Sequence, residues 1–260
     1  MSKVRVLVLR APGANCDAES AFAFERAGAI AERVHVNRLL EQSGRLTEYQ
    51  ILCIPGGFSY GDDLGAGRIL GNQIQHHLRD ALHQFKAAGK LVLGICNGFQ
   101  ILVKSGILLD DDAAGHPAAT LTNNDSGKFE DRWVHLRTAS NKCVFFSGIE
   151  SMYLPVAHAE GKFVPCDAAK LGHLTAGGQV VLRYAPSNGN GGDDVPYPDN
   201  PNGSAGAVAG VCDTTGRVCG LMPHPERHID ATQHPRWTRG SLPPEGDGLQ
   251  VFRNAVRYFR

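Results

Sequence analysis

Short, wholly apolar runs alternate with stretches of helical periodicity along the first hundred residues. Residues 4–9 read as a buried strand, 17–28 as an amphipathic helix, 32–36 as a second strand and 49–54 as a third. After a loop at 55–67, residues 68–88 carry apolar side chains at helical spacing until Gly89 stops them. Residues 91–95 are again wholly apolar, and 97–104 return to helix. This alternation predicts an α/β fold: an open, mainly parallel sheet with helices on both faces and right-handed crossovers.

The second half changes texture. Residues 133–138, 143–146, 152–158 and 180–184 read as strands with few helices between them, which predicts an antiparallel extension of the sheet. Residues 186–206 are rich in Gly, Pro, Asn and Asp and predict a long, exposed, mobile loop. Residues 208–212 and 217–222 flank a Thr-Thr-Gly turn as hairpin arms, and 249–259 form a closing amphipathic helix. Neither a repeat nor a linker interrupts the pattern, so residues 1–260 are expected to form a single domain.

Composition narrows the function classes. The 260 residues are 42% hydrophobic and 20% charged, enough for a substantial core, and 26 basic residues cancel 26 acidic ones. With no Lys/Arg-rich run, neither nucleic acid nor an anionic membrane is the expected partner. No apolar run approaches the roughly 20 residues a bilayer requires, and the N-terminus lacks an export-type apolar segment. The 7 cysteines form no Cys-x-x-Cys pair, which fits free thiols in a reducing cytoplasm. No metal is expected; His76 with His77, and His228 with His234, read as surface or core residues.

Chemistry concentrates in three segments. G-I-C-N-G-F-Q, from Gly94, places Cys96 where an apolar strand turns into a helix, so a sharp turn presents the sulfur and the helix N-terminus stabilises negative charge on it. Taken alone, that pattern more often describes a small buried cysteine than a nucleophile. M-P-H-P-E-R, from Met222, carries His224 and Glu226 two apart in a segment that its prolines keep extended, so both side chains project to one side. His224 then suits a general base that Glu226 orients; the competing reading is an exposed Pro-rich turn. I-P-G-G-F-S-Y-G-D-D, from Ile54, follows another strand, and its Gly57 N–H with that of Asn97 would make a two-donor oxyanion hole. No phosphate-binding loop or dinucleotide fingerprint is present.

Together these segments resemble the class I (triad) glutamine amidotransferases, whose pattern pairs a G-x-C-x-G elbow with a distant H-x-E; Cys96, His224 and Glu226 match it. A closer resemblance, over nearly the whole chain, is to the glutaminase subunits of phosphoribosylformylglycinamidine synthase. It is carried by A-P-G-A-N-C-D from Ala11, P-G-G-F-S-Y-G-D-D-L from Pro55, G-I-C-N-G-F-Q-I-L from Gly94, P-V-A-H-A-E-G from Pro155, N-P-N-G-S from Asn200 and M-P-H-P-E-R from Met222. The resemblance implies a flavodoxin-like sheet, glutamine as substrate, a thioester on Cys96 and release of ammonia to a separate synthetase subunit. There ATP and Mg would convert formylglycinamide ribonucleotide to the amidine. It implies no cofactor in this chain, a small accessory subunit in some complexes, Gln100 near the substrate amide and His158 near its amino-acid end.

The segments from Ala11 and Pro55 separate this chain from amidotransferases that serve anthranilate, carbamoyl phosphate or guanylate synthesis. Residues 123–134 also resemble enzymes in which glutaminase and synthetase are fused. Two readings lie outside the class: another cysteine hydrolase on a similar sheet, and a glutamine-binding regulatory module without turnover. The second would not need all three of Cys96, His224 and Glu226.

Overall fold

The computed structural model describes residues 3–111, 115–188, 192–239 and 243–260. Its first half winds as the alternation predicts. Strands β1 (Arg5–Arg10), β2 (Ile30–His35), β3 (Ile51–Ile54) and β4 (Leu91–Ile95) alternate with helices α1 (Asp17–Arg26), α2 (Val36–Glu41), α3 (Arg68–Gln73), α4 (Arg79–Ala87) and α5 (Asn97–Lys104). Every residue of β3 and β4 is buried, because helices cover both faces of the sheet and leave no position for a polar alternate. The helix expected over 68–88 runs on from α3 to α4 through a π-turn at Ile74–Leu78, which leaves His76 and His77 exposed.

The second half supplies β5 (Ala119–Thr122), β6 (Glu130–Thr138), β7 (Ser151–His158), β8 (Lys162–Pro165), α6 (Ala168–Ala176), β9 (Val180–Ala185), β10 (Val208–Cys212), β11 (Val218–Leu221) and α7 (Leu249–Arg257). One nine-stranded sheet has the order β2-β1-β3-β4-β11-β10-β9-β6-β7, and β5 pairs with β8 apart from it. The strands from β2 to β11 are parallel, and β10, β9, β6 and β7 extend the sheet in antiparallel fashion. The amphipathic α7 packs its apolar face on α1, where Phe252 meets Phe24 edge-on at 4.9 Å.

Three expectations are corrected. Residues 143–146 form a 3-10 turn, Val144–Phe146, rather than a strand. The run is apolar because Phe145 and Phe146 are buried, and its carbonyl edge serves α7: Asn254 Nδ2 donates to the oxygens of Phe145 and Ser147. Strands β5 and β8 and helix α6 stand where no element is expected. The loop at 186–206 is not uniformly exposed: Val195, Asn200, Asn202 and Ser204 are buried, while residues 189–191 of that expectation lie outside the described residues. Asn202 Nδ2 donates to Gly161 O and Tyr184 Oη, and its Oδ1 accepts from Ser204, so the loop's polar composition is consumed internally.

Candidate active site

The parallel register of β11 on β4 pairs Leu221 with Ile95, so the two segments that carry chemistry leave the sheet side by side at its carboxyl edge. Cys96, the first residue beyond β4, donates its N–H to Leu221 O at 2.7 Å. Its backbone holds φ +51 and ψ −106, a conformation that costs free energy in any residue with a side chain and persists here because both neighbours are fixed. Gly98 makes the turn feasible: a Cβ there would run into the Ile54 carbonyl at the end of β3.

From β11 the chain continues to His224, whose N–H donates to Pro155 O at 2.9 Å. Its Nδ1 meets Glu226 Oε1 at 2.7 Å, and both side chains are buried. An ionised carboxylate only accepts, so Nδ1 carries the proton and Nε2 is the free position of the neutral ring. Nε2 is buried without a hydrogen-bond partner among the described residues, and Cys96 lies close enough to act on the ring electrostatically. Burial disfavours the imidazolium, but Glu226, Cys96 and Cys16 outweigh it and hold the His224 pKa well above the usual imidazole value.

The two backbone N–H groups expected to form an oxyanion hole are those of Gly57 and Asn97. Neither N–H has a hydrogen-bond partner among the described residues. Gly57 sits at φ +134, where a Cβ would lie 2.6 Å from both Asn15 N and Gly13 O. The side chains beside them tie down the strap from residue 59 to residue 67. Asn97 Oδ1 accepts from Ser59 N, its Nδ2 donates to Asp62 Oδ1 and Gln100 Oε1, and Gln100 Nε2 donates to Glu160 O at 2.6 Å. Glu160 in turn accepts the N–H of Ala66. Gln100, expected near the substrate amide, therefore has both ends of its own amide engaged.

His158 ends β7, buried, with Nδ1 3.2 Å from Asn124 Oδ1. That oxygen also accepts from Gly161 N, so Nδ1 is assigned the proton and the buried, unpartnered Nε2 is an acceptor. Burial, and then the charge of His224, push its pKa down to about 3, so the ring is neutral. A cavity of about 550 Å³ opens beside this strap, lined by Arg68, Lys104 and Glu160 among others. A larger one, about 620 Å³, lies against the 193–207 segment away from Cys96 and shares none of these groups.

Sequence reasoning gave no role to Cys16, yet it packs against His224, and Arg227 Nη2 donates to its sulfur at 3.1 Å. The only signal was its place in the Ala11 segment.

The chain is similar in sequence and in fold to known glutamine amidotransferases. A profile of the CobB/CobQ-like glutamine amidotransferase domain matches residues 3–259. The phosphoribosylformylglycinamidine synthase subunit PurQ of Dehalococcoides mccartyi is 48% identical over 261 residues, covering 100% of this chain and 99% of that protein. Its counterpart from Methanococcus maripaludis is 41% identical, covering 98% and 97%. Among solved structures, a chain of PurLQS from Thermotoga maritima superposes with a TM-score of 0.74 at 33% identity, covering 100% of both chains. This chain belongs to the CobB/CobQ-like glutamine amidotransferase family.

Proposed function

We propose that this chain is the glutaminase subunit of a phosphoribosylformylglycinamidine synthase, in which Cys96, His224 and Glu226 release ammonia from glutamine for a synthetase partner. The observation that carries the reading is His224, held by Glu226 at 2.7 Å with its Nε2 buried and unpartnered among the described residues, and close enough to the strained Cys96 for the two to interact. The Cys96 thiolate adds to the side-chain amide carbon, and the oxyanion receives the N–H groups of Gly57 and Asn97. His224 gives its proton to the leaving nitrogen, ammonia departs, and the glutamyl thioester remains. Water, deprotonated by His224, then releases glutamate and restores the thiolate.

His158, neutral and with a free acceptor nitrogen, is placed to receive an N–H of the substrate's amino-acid end. Gln100 and the Asn97 side chain hold the walls of that pocket. The whole of residues 1–260 acts as one amidotransferase domain. ATP and magnesium belong to the synthetase, where ammonia replaces the amide oxygen of formylglycinamide ribonucleotide, and a small accessory subunit completes the complex. The PurQ names of the relatives and the PurLQS likeness support that partnership. Seven free cysteines support a reducing cytoplasm, and no helix among the described residues is long and apolar enough to cross a membrane.

The test compares wild type with Cys96→Ala, each with the synthetase, formylglycinamide ribonucleotide and ATP. Glutamine should support amidine formation only in wild type, while added ammonium supports it in both. Unchanged glutamine-dependent turnover in Cys96→Ala would sink the assignment.

A further inference from the structure

The His224–Glu226 pair has a third buried neighbour that glutamine hydrolysis leaves unused. Cys16, just ahead of α1, is 1% exposed. Its sulfur, a ring nitrogen of His224 and a carboxylate oxygen of Glu226 all lie within 4.8 Å of one another. Glu226 Oε2 is fully buried and has no hydrogen-bond partner among the described residues. Gly56 marks where the groups converge. A Cβ there would lie 2.7 Å from His224 Cε1 and 3.3 Å from both His224 Nδ1 and Cys16 Sγ, so the sulfur and the Nδ1 edge of the ring open to the same side.

Sulfur, imidazole and carboxylate form the donor set of a tetrahedral, borderline-soft ion; magnesium and calcium take oxygen ligands at higher coordination. We propose that Cys16, His224 and Glu226 form an inhibitory site for a divalent cation of the zinc class, with three protein ligands and one open position. Binding sends the Cys16 thiol proton to solvent. The ion takes the place of the Nδ1 proton of the imidazolium, which also leaves. The ring keeps its other proton on Nε2, and a ring bound to the ion through Nδ1 can surrender that proton only by becoming an imidazolate, so it can neither pass it to the leaving nitrogen nor then take one from water. Arg227, already donating to the sulfur, stays as a hydrogen-bond donor to the metal-bound thiolate. The inhibition rests on the catalytic reading above; the binding does not.

The probe is Cd²⁺, titrated into the full chain carrying Cys166→Ser, since Cys166 is the exposed thiol among the seven. The readout is the near-ultraviolet thiolate-to-cadmium charge-transfer band, which needs no turnover and survives failure of the hydrolase reading. One Cd²⁺ per chain is expected in this parent and with Cys96→Ala added, and no band with Cys16→Ser added. A band lost with Cys96→Ala, kept with Cys16→Ser, or missing from the parent overturns the site. If Cys16→Ser fails to fold, Glu226→Gln keeps every sulfur and should weaken Cd²⁺ at least about tenfold; unchanged affinity overturns the proposal. Full glutaminase activity at saturating Zn²⁺ would refute the inhibition.

Discussion

The Pro155 carbonyl accepts the N–H of His224, which hangs the imidazole from the outer edge of the sheet's last strand. Proline suits that position because it has no N–H to leave unpaired on an edge. The same edge of β7 offers Tyr153 O to His228 Nδ1 at 2.8 Å, and Ala157 O faces Cys96 Sγ at 3.7 Å. One edge strand therefore registers the segment after β11 against the elbow after β4, while the elbow covers backbone groups that would otherwise be open to pairing.

Glu226→Gln is the sharpest test of the histidine's role. The amide removes the charge that most strongly favours the imidazolium and can present an N–H to Nδ1, selecting the wrong tautomer. We expect kcat to fall about 10²–10⁴-fold. The His224 pKa drops toward its ordinary value, so the corresponding limb of the kcat/KM profile moves to lower pH. A limb that stays in place would show that it belongs to another group.

Gly57→Ala tests the oxyanion donor. The added Cβ meets backbone atoms of the 13–15 turn, which cannot rotate away, and φ +134 is unfavourable for alanine. The strap must shift and carry the Gly57 N–H off line, at a stability cost of about 1–3 kcal/mol. In the folded variant kcat should drop about 10²–10³-fold, with KM for glutamine within a few-fold of wild type. A folded variant with normal kcat would exclude this N–H from the reaction.

Much of this site is legible in the sequence because its signals are local. A strand running into a helix at Cys96 fixes a short stretch of backbone where its rule puts it. Beyond His224 the expected extended run is corrected: His224, before Pro225, is extended, but Pro225–Arg227 coils into a 3-10 turn, and that turn brings Glu226 back to the imidazole. What brings Cys96 and His224 together, the β4–β11 register, is a pairing between distant segments and leaves no local trace. Cys16 is hidden for the same reason. The run at 143–146 misleads because burial beneath α7 requires the same apolar residues as a strand. The stretch from Val195 to Ser204 misleads in the opposite sense, since its Asn and Ser side chains satisfy one another and read from composition as solvent-exposed.

Acid stability should report on His158. Its pKa is near 3 in the folded chain against about 6.5 unfolded, so between those values the unfolded chain binds the extra proton. This neutral histidine's contribution is complete above pH 6.5 and is lost as pH falls toward 3, at up to about 1.4 kcal/mol per pH unit. His224, whose pKa is raised, contributes fully throughout that window and loses its contribution only as pH rises through its folded value. His158→Gln should therefore flatten the fall in urea stability between pH 6.5 and 4.5. Parallel curves for the two proteins would mean that other groups carry the acid sensitivity.

Asn202→Ala should loosen the 195–204 segment and, through it, the turn that carries Glu160. Asn202 is fully buried, and its amide joins Gly161 O, Tyr184 Oη and Ser204, while Ser204 Oγ accepts the N–H of Phe163 at the start of β8. Removing the amide leaves the Tyr184 hydroxyl and part of this backbone without partners, at a cost of about 1–3 kcal/mol. Gly161 adjoins Glu160, whose carbonyl holds Gln100 and whose carboxylate holds the strap at Ala66, so the loss reaches the substrate side. The expected result is a lower Tm, together with a KM for glutamine that rises more than kcat falls, because the disturbed groups border the pocket and none of them, among the described residues, hydrogen-bonds to the Cys96 sulfur, which faces Ala157 O. A fall in Tm with unchanged KM would confine Asn202 to holding the loop and separate the 195–204 segment from glutamine binding.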